Sequence, residues 1–69
     1  MTIGERISKR RAALGLTQDE LARKLKVDKS AIAHWEADDW KPRDLERVVV
    51  RGLGLTMSAF WADTPKRAA

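Results

Sequence analysis

The apolar residues in the middle of the chain recur at helical spacing in two short stretches. Leu21, Ala22 and Leu25 fall on one face of a first helix, and Ile32 and Trp35 fall on one face of a second. Only a few residues separate the two stretches. The pattern therefore predicts two short amphipathic helices joined by a tight turn.

The ends of these helices are marked by capping residues. Thr17 and Glu20 have the spacing of a capping box, which places the start of the first helix near Gln18. Asp28 is a good N-cap for the second helix, with its carboxylate accepting from the following N–H groups. The intervening turn is three or four residues long, as in a helix-turn-helix, whose second helix can enter the major groove of DNA.

The outward face of the second helix is short, polar and free of acids. It carries Lys29, Ser30, Ala33, His34 and Ala37. Lysine can donate to guanine O6 and N7, histidine can donate to guanine N7 or a phosphate, and a methyl group can contact thymine. The alternative is a plain solvated face, which would normally carry more Glu and Lys.

The first helix should run from Ile3 to about Leu14 and end at Gly15, after a second capping box at Thr2 and Glu5. Arg11 lies on its apolar stripe, with Ile3, Ile7 and Leu14. A buried cation needs an anionic partner, and Glu36 on the inward edge of the second motif helix is the natural candidate. The alternative is that both residues are simply exposed.

A fourth helix is expected from Pro42, at its first position, to about Leu53. Three consecutive valines and Gly52 make this segment a poor helix by propensity, and a strand at residues 47–51 is the local alternative. We reject the strand because the sequence offers no partner for it. Gly54 suits a left-handed helix end, and Thr56 should cap a last short helix.

Together these stretches resemble the phage Cro and repressor family of XRE-type helix-turn-helix proteins. The resemblance covers about residues 3–61 and is carried by IGERISKRRAALGLTQDELARKLKV, SAIAHWE and the downstream LGLT. It implies an all-α bundle of five short helices with a central helix-turn-helix at about residues 17–37. It also implies a dimeric transcriptional regulator.

The resemblance implies roles for particular residues. Lys29, Ser30 and His34 match positions that read bases, and Ala33 lies between them on the same face. Gln18 matches a clamp on the phosphate backbone. Lys41 and Arg43 lie on either side of the expected start of the fourth helix, where free N–H groups also suit a phosphate, and the matching loop in the family touches the backbone. Arg10 and Arg11 of the first helix are, by their charge, further candidates for phosphate contacts. Arg11 also matches a family position that forms an ion pair with the position of Glu36.

Two departures concern the turn and the loop. Lys26 stands where the family usually has glycine, so a positive φ would cost about 1 kcal/mol. Ala37-Asp38-Asp39 replaces the usual Asn-Gly. Acids facing DNA would repel phosphate, so either the loop turns them away or they weaken non-specific binding.

Length and charge agree with this interpretation. The chain has 69 residues, no cysteine and a net charge of +4, which favours a polyanionic partner without requiring one. We expect one domain at 1–62 and a flexible tail at 63–69, in which Lys66 and Arg67 are solvated. No membrane-spanning or export segment is visible, so a cytoplasmic location is expected, and no cofactor is implied.

A homodimer is expected because a single reading helix defines only a few base pairs. Its candidate surface consists of Leu55, Met57, Phe60, Trp61 and Trp40. The alternative function is a protein-interaction module, such as the antitoxin of a toxin–antitoxin pair, with DNA binding as autoregulation. An enzyme is disfavoured by the lack of Cys and the single His, and RNA binding by the lack of aromatic residues on the basic face.

Overall fold

Residues 2–62 are described by the computed structural model, and the predicted tail at 63–69 lies outside them. The first helix, α1, spans Ile3–Ala13 and begins with the predicted capping box. The Thr2 hydroxyl accepts from the Glu5 N–H at 3.1 Å, and the Glu5 carboxylate accepts from the Thr2 N–H at 2.8 Å. The helix ends one residue before the expected Leu14, and Gly15 follows with φ of 72°.

The helix-turn-helix consists of α2, Gln18–Leu25, and α3, Lys29–Glu36. Lys26 takes the left-handed conformation at the end of α2, with φ of 59° and ψ of 46°, so the predicted positive φ is confirmed. Asp28 is the N-cap of α3, but its side chain makes no capping hydrogen bond. The prediction for its carboxylate is wrong, and the first turn of α3 begins instead with the Ala31 N–H donating to the Asp28 carbonyl at 3.0 Å.

The fourth helix starts later and winds differently than predicted. Its α-helical part, α4, spans Leu45–Arg47 and continues as a π-helical turn over Val48–Gly52. Asp44 is the cap, because its carboxylate accepts from the Arg47 N–H at 3.1 Å, and Pro42 is buried before the helix starts. The rejected strand is not formed, since residues 2–62 contain no strand.

The π turn is closed by the N–H of Leu53, which donates to the carbonyls of Val48 at 3.1 Å and Val49 at 3.2 Å. This wider turn keeps Val48, Val49 and Leu53 in the core while Val50 is exposed. Arg47 then ties the segment to the motif, because its guanidinium donates to the carbonyl of Leu25 at the end of α2 at 2.8 Å. The position of the turn between α2 and α3 is thus supported by α4.

The last described helix, α5, spans Met57–Phe60. The Thr56 hydroxyl accepts from the Ala59 N–H at 3.0 Å, which confirms the predicted cap. Gly54 has the predicted positive φ, 67°. The helix is one turn long, so packing rather than its own hydrogen bonds holds it in place.

The core lies where α1, α2, α3 and the π turn meet. Its buried apolar residues are Ile7, Leu21, Ala22, Leu25, Ile32, Trp35, Val48, Val49, Leu53 and Phe60. Leu14, predicted on the inner stripe of α1, is the C-cap of the helix and is instead 39% exposed. None of the helices over residues 2–62 is long and apolar enough to cross a membrane.

Close packing of α1 on α3 depends on one small residue. A Cβ added to Gly4 would lie 2.5 Å from the Trp35 carbonyl oxygen and 2.6 Å from that of Glu36. Such distances are shorter than real Cβ contacts, so only glycine lets the start of α1 reach the end of α3 without a shift. This contact fixes the orientation of α3 in the domain.

Candidate nucleic-acid interface

The helix α3 has one buried and one accessible side. Ile32 is fully buried and Trp35 is 9% exposed, so these residues anchor the helix in the core. The opposite side carries the four predicted base-reading residues: Lys29 and Ser30 are exposed, and Ala33 and His34 are half-buried. The first turn of α3 therefore presents a lysine and a serine to an incoming ligand.

Glu36, the last residue of α3, connects the three helices around the motif. Its carboxylate accepts from Arg11 Nε at 2.6 Å and Arg11 Nη2 at 3.1 Å, which is a bidentate ion pair. It also accepts from Gln18 Nε2 at 3.0 Å. The side chain of Glu36 is only 8% exposed and that of Arg11 18%, so the alternative of two exposed residues does not hold.

The environment of Arg11 commits its guanidinium to the domain. Nη1 donates to the Leu16 carbonyl at 2.7 Å, in addition to the two hydrogen bonds to Glu36. The hydrogen bonds to Glu36 raise the pKa of Arg11, with burial acting in the opposite direction. We therefore assign Arg11 a structural role and do not retain it as a phosphate ligand.

Gln18 is placed at the first position of α2 and held from the side by Glu36. An amide nitrogen has two hydrogens, so Nε2 can donate to Glu36 and to a second acceptor at once. The N-terminus of a helix also attracts anions through its free N–H groups and its dipole. The residue expected to clamp the DNA backbone is thus oriented by the residue that ends α3.

The remaining predicted phosphate ligands are placed less uniformly. Arg10 donates through Nε to the Leu53 carbonyl at 3.1 Å, which ties α1 to the end of the π turn. Lys41 and Arg43 are exposed, but they precede the cap Asp44. They therefore lie in the loop. The prediction that they lie at the start of a helix is wrong, because α4 begins at Leu45.

The first acid of the loop after α3 is turned toward α1. Asp38 has φ of 63°, and its carboxylate accepts from the Thr2 hydroxyl and from the Gly4 N–H, the latter at 2.9 Å. The hydrogen bond from Thr2, then that from Gly4, lowers the pKa of Asp38. The sequence left open whether the loop turns its acids away from DNA or whether they weaken non-specific binding. The loop turns Asp38 toward α1.

The second loop acid holds the end of the outward face. Asp39 Oδ2 lies 3.1 Å from His34 Nδ1. The Trp40 ring stacks on the His34 ring with centroids 3.9 Å apart and planes inclined by 22°. Trp40 was expected with the α5 residues of the dimer surface, but its ring packs on α3 and is 54% exposed.

The other residues of the predicted dimer surface divide into buried and accessible ones. Phe60 is 3% exposed and belongs to the core, so it is not part of a surface. Leu55 and Met57 are half-buried, and Trp61 is 42% exposed. The Trp61 ring lies edge-on to the Phe60 ring. The Arg6 guanidinium lies over the Trp61 ring, with its Cζ 4.9 Å from the ring centroid.

Sequence reasoning missed three contacts at this interface. They are the hydrogen bond between Gln18 and Glu36, the cap that Asp38 provides for α1, and the stack of His34 on Trp40. The first two join residues far apart in the chain, and no local pattern announces them. The third had a signal, since the only histidine of the sequence lies six residues before Trp40, which was expected on the dimer surface.

The fold and this geometry define a helix-turn-helix protein. A family model described as Helix-turn-helix matches residues 7–43, which include α2, α3 and the loop beyond them. The chain belongs to this family, of XRE type, whose members are DNA-binding regulators. Searches of curated proteins and of solved structures gave no significant match.

Proposed function

We propose that this protein is a sequence-specific transcriptional regulator, most simply a repressor, that binds a pseudo-palindromic operator as a homodimer. The observation that carries the proposal is the accessible side of α3. Lys29 and Ser30 are exposed on its first turn, while Ile32 and Trp35 fix the other side in the core. A helix anchored in this way can enter the major groove with its side chains already directed at base edges.

Recognition of bases is assigned to the N-terminal half of α3. Lys29 donates to guanine O6 and N7, and Ser30 accepts or donates according to the base it meets. Ala33 contributes a methyl group or clearance. His34 is restrained by Asp39 at Nδ1, which leaves Nε2 as the ring nitrogen available to DNA.

Contacts to the phosphate backbone surround this face. Gln18 at the start of α2 binds a phosphate oxygen, and its orientation is supported by the hydrogen bond to Glu36. Lys41 and Arg43, both exposed in the loop after α3, are the further candidates for phosphate contacts, whereas Arg10 donates to the Leu53 carbonyl and is not retained. These contacts set the register of α3 in the groove and bind all sequences alike.

Dimerisation is assigned to the C-terminal surface, reduced to Leu55, Met57 and Trp61. Their exposure supports the assignment, because a partly exposed tryptophan beside half-buried apolar residues is typical of a protein contact. A two-fold dimer would place two α3 helices about one DNA turn apart, roughly 34 Å. That spacing selects a palindrome.

Selection of bound duplexes from a random pool, followed by the mass of the complex, tests the proposal. We expect a palindromic consensus bound by two chains. Binding without enrichment of any sequence would contradict specific recognition, and a complex with one chain would contradict the dimer. An affinity that does not change with salt would favour the interaction-module alternative, since phosphate contacts release counterions.

A further inference from the structure

The loop after α3 carries an exposed aromatic ring that neither the base-reading nor the phosphate-binding assignments use. Trp40 is the most exposed large apolar side chain among residues 2–62, at 54%. Its inner face is covered by the His34 ring at 3.9 Å. A large apolar surface that is left in water and yet held in place is typical of a binding contact.

The backbone and Asp39 hold this ring at the end of α3. The N–H groups of Asp39 and Trp40 both point to the His34 carbonyl, at 3.0 and 3.4 Å. Asp39 also restrains the imidazole through Nδ1, on the same ring that Trp40 covers. The stacked pair therefore extends the accessible side of α3 by the area of an indole.

The position of the ring favours DNA over an apolar protein partner, because the ring stacks on His34 of the predicted base-reading side of α3. The loop's acids are engaged within the domain: Asp38 caps α1, Asp39 binds His34, and Asp44 caps α4. The next cations along the chain, Lys41 and Arg43, are exposed. An indole between a base-reading helix and two exposed cations is placed to meet the edge of a DNA groove.

We propose that Trp40 is a specificity-determining DNA contact, in which the indole packs on the C5-methyl group of a thymine and the adjoining deoxyribose at the outer end of each half-site. The inference rests on the proposed function, because it requires α3 to lie in the major groove. Apolar side chains read thymine through this methyl group, which cytosine and uracil lack. Trp40 then belongs to the DNA surface and not to the dimer surface.

The three tryptophans allow a direct test of contact by acrylamide quenching. Trp35 is shielded at 9% exposure, so Trp61→Phe leaves Trp40 as the one readily quenched indole, and Trp40→Phe leaves Trp61. Because Trp61 also lies on the proposed dimer surface, both variants are first shown by mass to have the oligomeric state of the unaltered protein, and quenching is measured where that state is fully formed without DNA. Selected duplex should then protect the indole in Trp61→Phe and leave quenching in Trp40→Phe nearly unchanged. Unchanged quenching in Trp61→Phe, at saturating DNA, would overturn the inference.

The thymine contact is tested by a cycle between protein and DNA. Trp40→Ala should weaken binding to the selected site about fivefold or more and weaken random duplex less. Replacing the outer thymine of each half-site by uracil should weaken the unaltered protein but not Trp40→Ala. Equal losses in both proteins at every thymine would overturn the contact, as would a change in oligomer mass caused by Trp40→Ala.

Failure of this inference and failure of the proposed function give different results. If the unaltered protein selects no sequence, the function fails. If it selects a palindrome but Trp40→Ala binds that site within twofold of the unaltered protein, only the role of Trp40 fails. Far-ultraviolet circular dichroism of Trp40→Ala and of the milder Trp40→Phe shows whether α3 remains folded.

Discussion

Gln18 Nε2 donates to Glu36 Oε1 at 3.0 Å, so the first residue of α2 is held by the last residue of α3. The same carboxylate binds Arg11 of α1 in a bidentate pair. A single buried acid thus fixes the relative positions of the predicted clamp, the reading helix and the helix that supports both. The stability of the fold and the geometry of the DNA surface depend on the same residue.

Replacing Glu36 by Gln should destabilise the fold by about 3 kcal/mol, because it leaves the Arg11 cation largely buried and without its counter-charge. Urea unfolding measures the loss. Glu46→Gln, at an exposed carboxylate of α4, is the matched control and should change stability by less than about 0.5 kcal/mol. Similar losses in the two variants would contradict the structural role of the pair.

Lys26→Gly should stabilise the protein by about 1 kcal/mol. Lys26 has φ of 59°, a conformation that is strained for a residue with a Cβ and free of strain for glycine. Lys24→Gly, two residues earlier in the last turn of α2, should instead cost about 1 kcal/mol. Opposite signs in urea unfolding support the account, whereas destabilisation by both changes would refute it.

Gly4→Ala should destabilise the protein by about 1–3 kcal/mol, although alanine is the better helix former. The new Cβ would meet backbone carbonyl oxygens of α3, which cannot move aside as a flexible side chain would. Lys9→Ala, at an exposed site of α1, controls for propensity and should be nearly neutral. A stable Gly4→Ala protein would show that α1 and α3 do not pack this closely.

Asp38 should make the melting temperature fall in acid. Its pKa is lowered from the ordinary 3.8 in the folded state, so its hydrogen bonds stabilise the fold above that value and are lost as the pH falls through the lowered pKa. Asp38→Asn should have a lower melting temperature than the unaltered protein at neutral pH. Its melting temperature should fall by less between pH 5 and about pH 2. Melting followed by circular dichroism measures this.

Variants of Thr2 separate this effect from general acid unfolding. The Thr2 hydroxyl is the main cause of the lowered pKa, so Thr2→Val should reduce the acid-dependent loss and Thr2→Ser should retain it. Identical pH profiles for the two variants would argue against the Asp38 contact. The comparison also controls for size at the start of α1.

Local patterns predicted the parts of the fold that depend on neighbours in sequence. The two capping boxes and the short last helix at Thr56 each follow from residues within one turn, whereas the positive φ at Lys26 was predicted from the family resemblance. The Arg11–Glu36 contact was predicted from the single charge on the apolar stripe of α1 and from the family resemblance. The predicted start of the fourth helix was wrong because Pro42 is as compatible with a loop as with the first turn of a helix.

Contacts between distant segments were not accessible in this way. Asp38 looked like a repulsive surface acid, and only the arrival of α1 gives it Gly4 as a partner. Phe60 looked like an exposed aromatic in a short helix, and its burial depends on packing against other elements. The π turn likewise brings Gly52 against α2, where an added Cβ would lie 3.0 Å from the Leu25 side chain and 3.1 Å from that of Leu21, and no local pattern predicts this contact.

The central claim, that α3 reads bases while α2 holds the backbone, is tested most directly by comparing Lys29→Ala with Gln18→Ala on selected and random duplexes. Lys29→Ala should lose about 1–3 kcal/mol of binding free energy on the selected site and much less on random DNA. It should also relax the base preference at one position per half-site. Gln18→Ala should weaken both duplexes alike. Equal losses on both duplexes for Lys29→Ala would contradict the account.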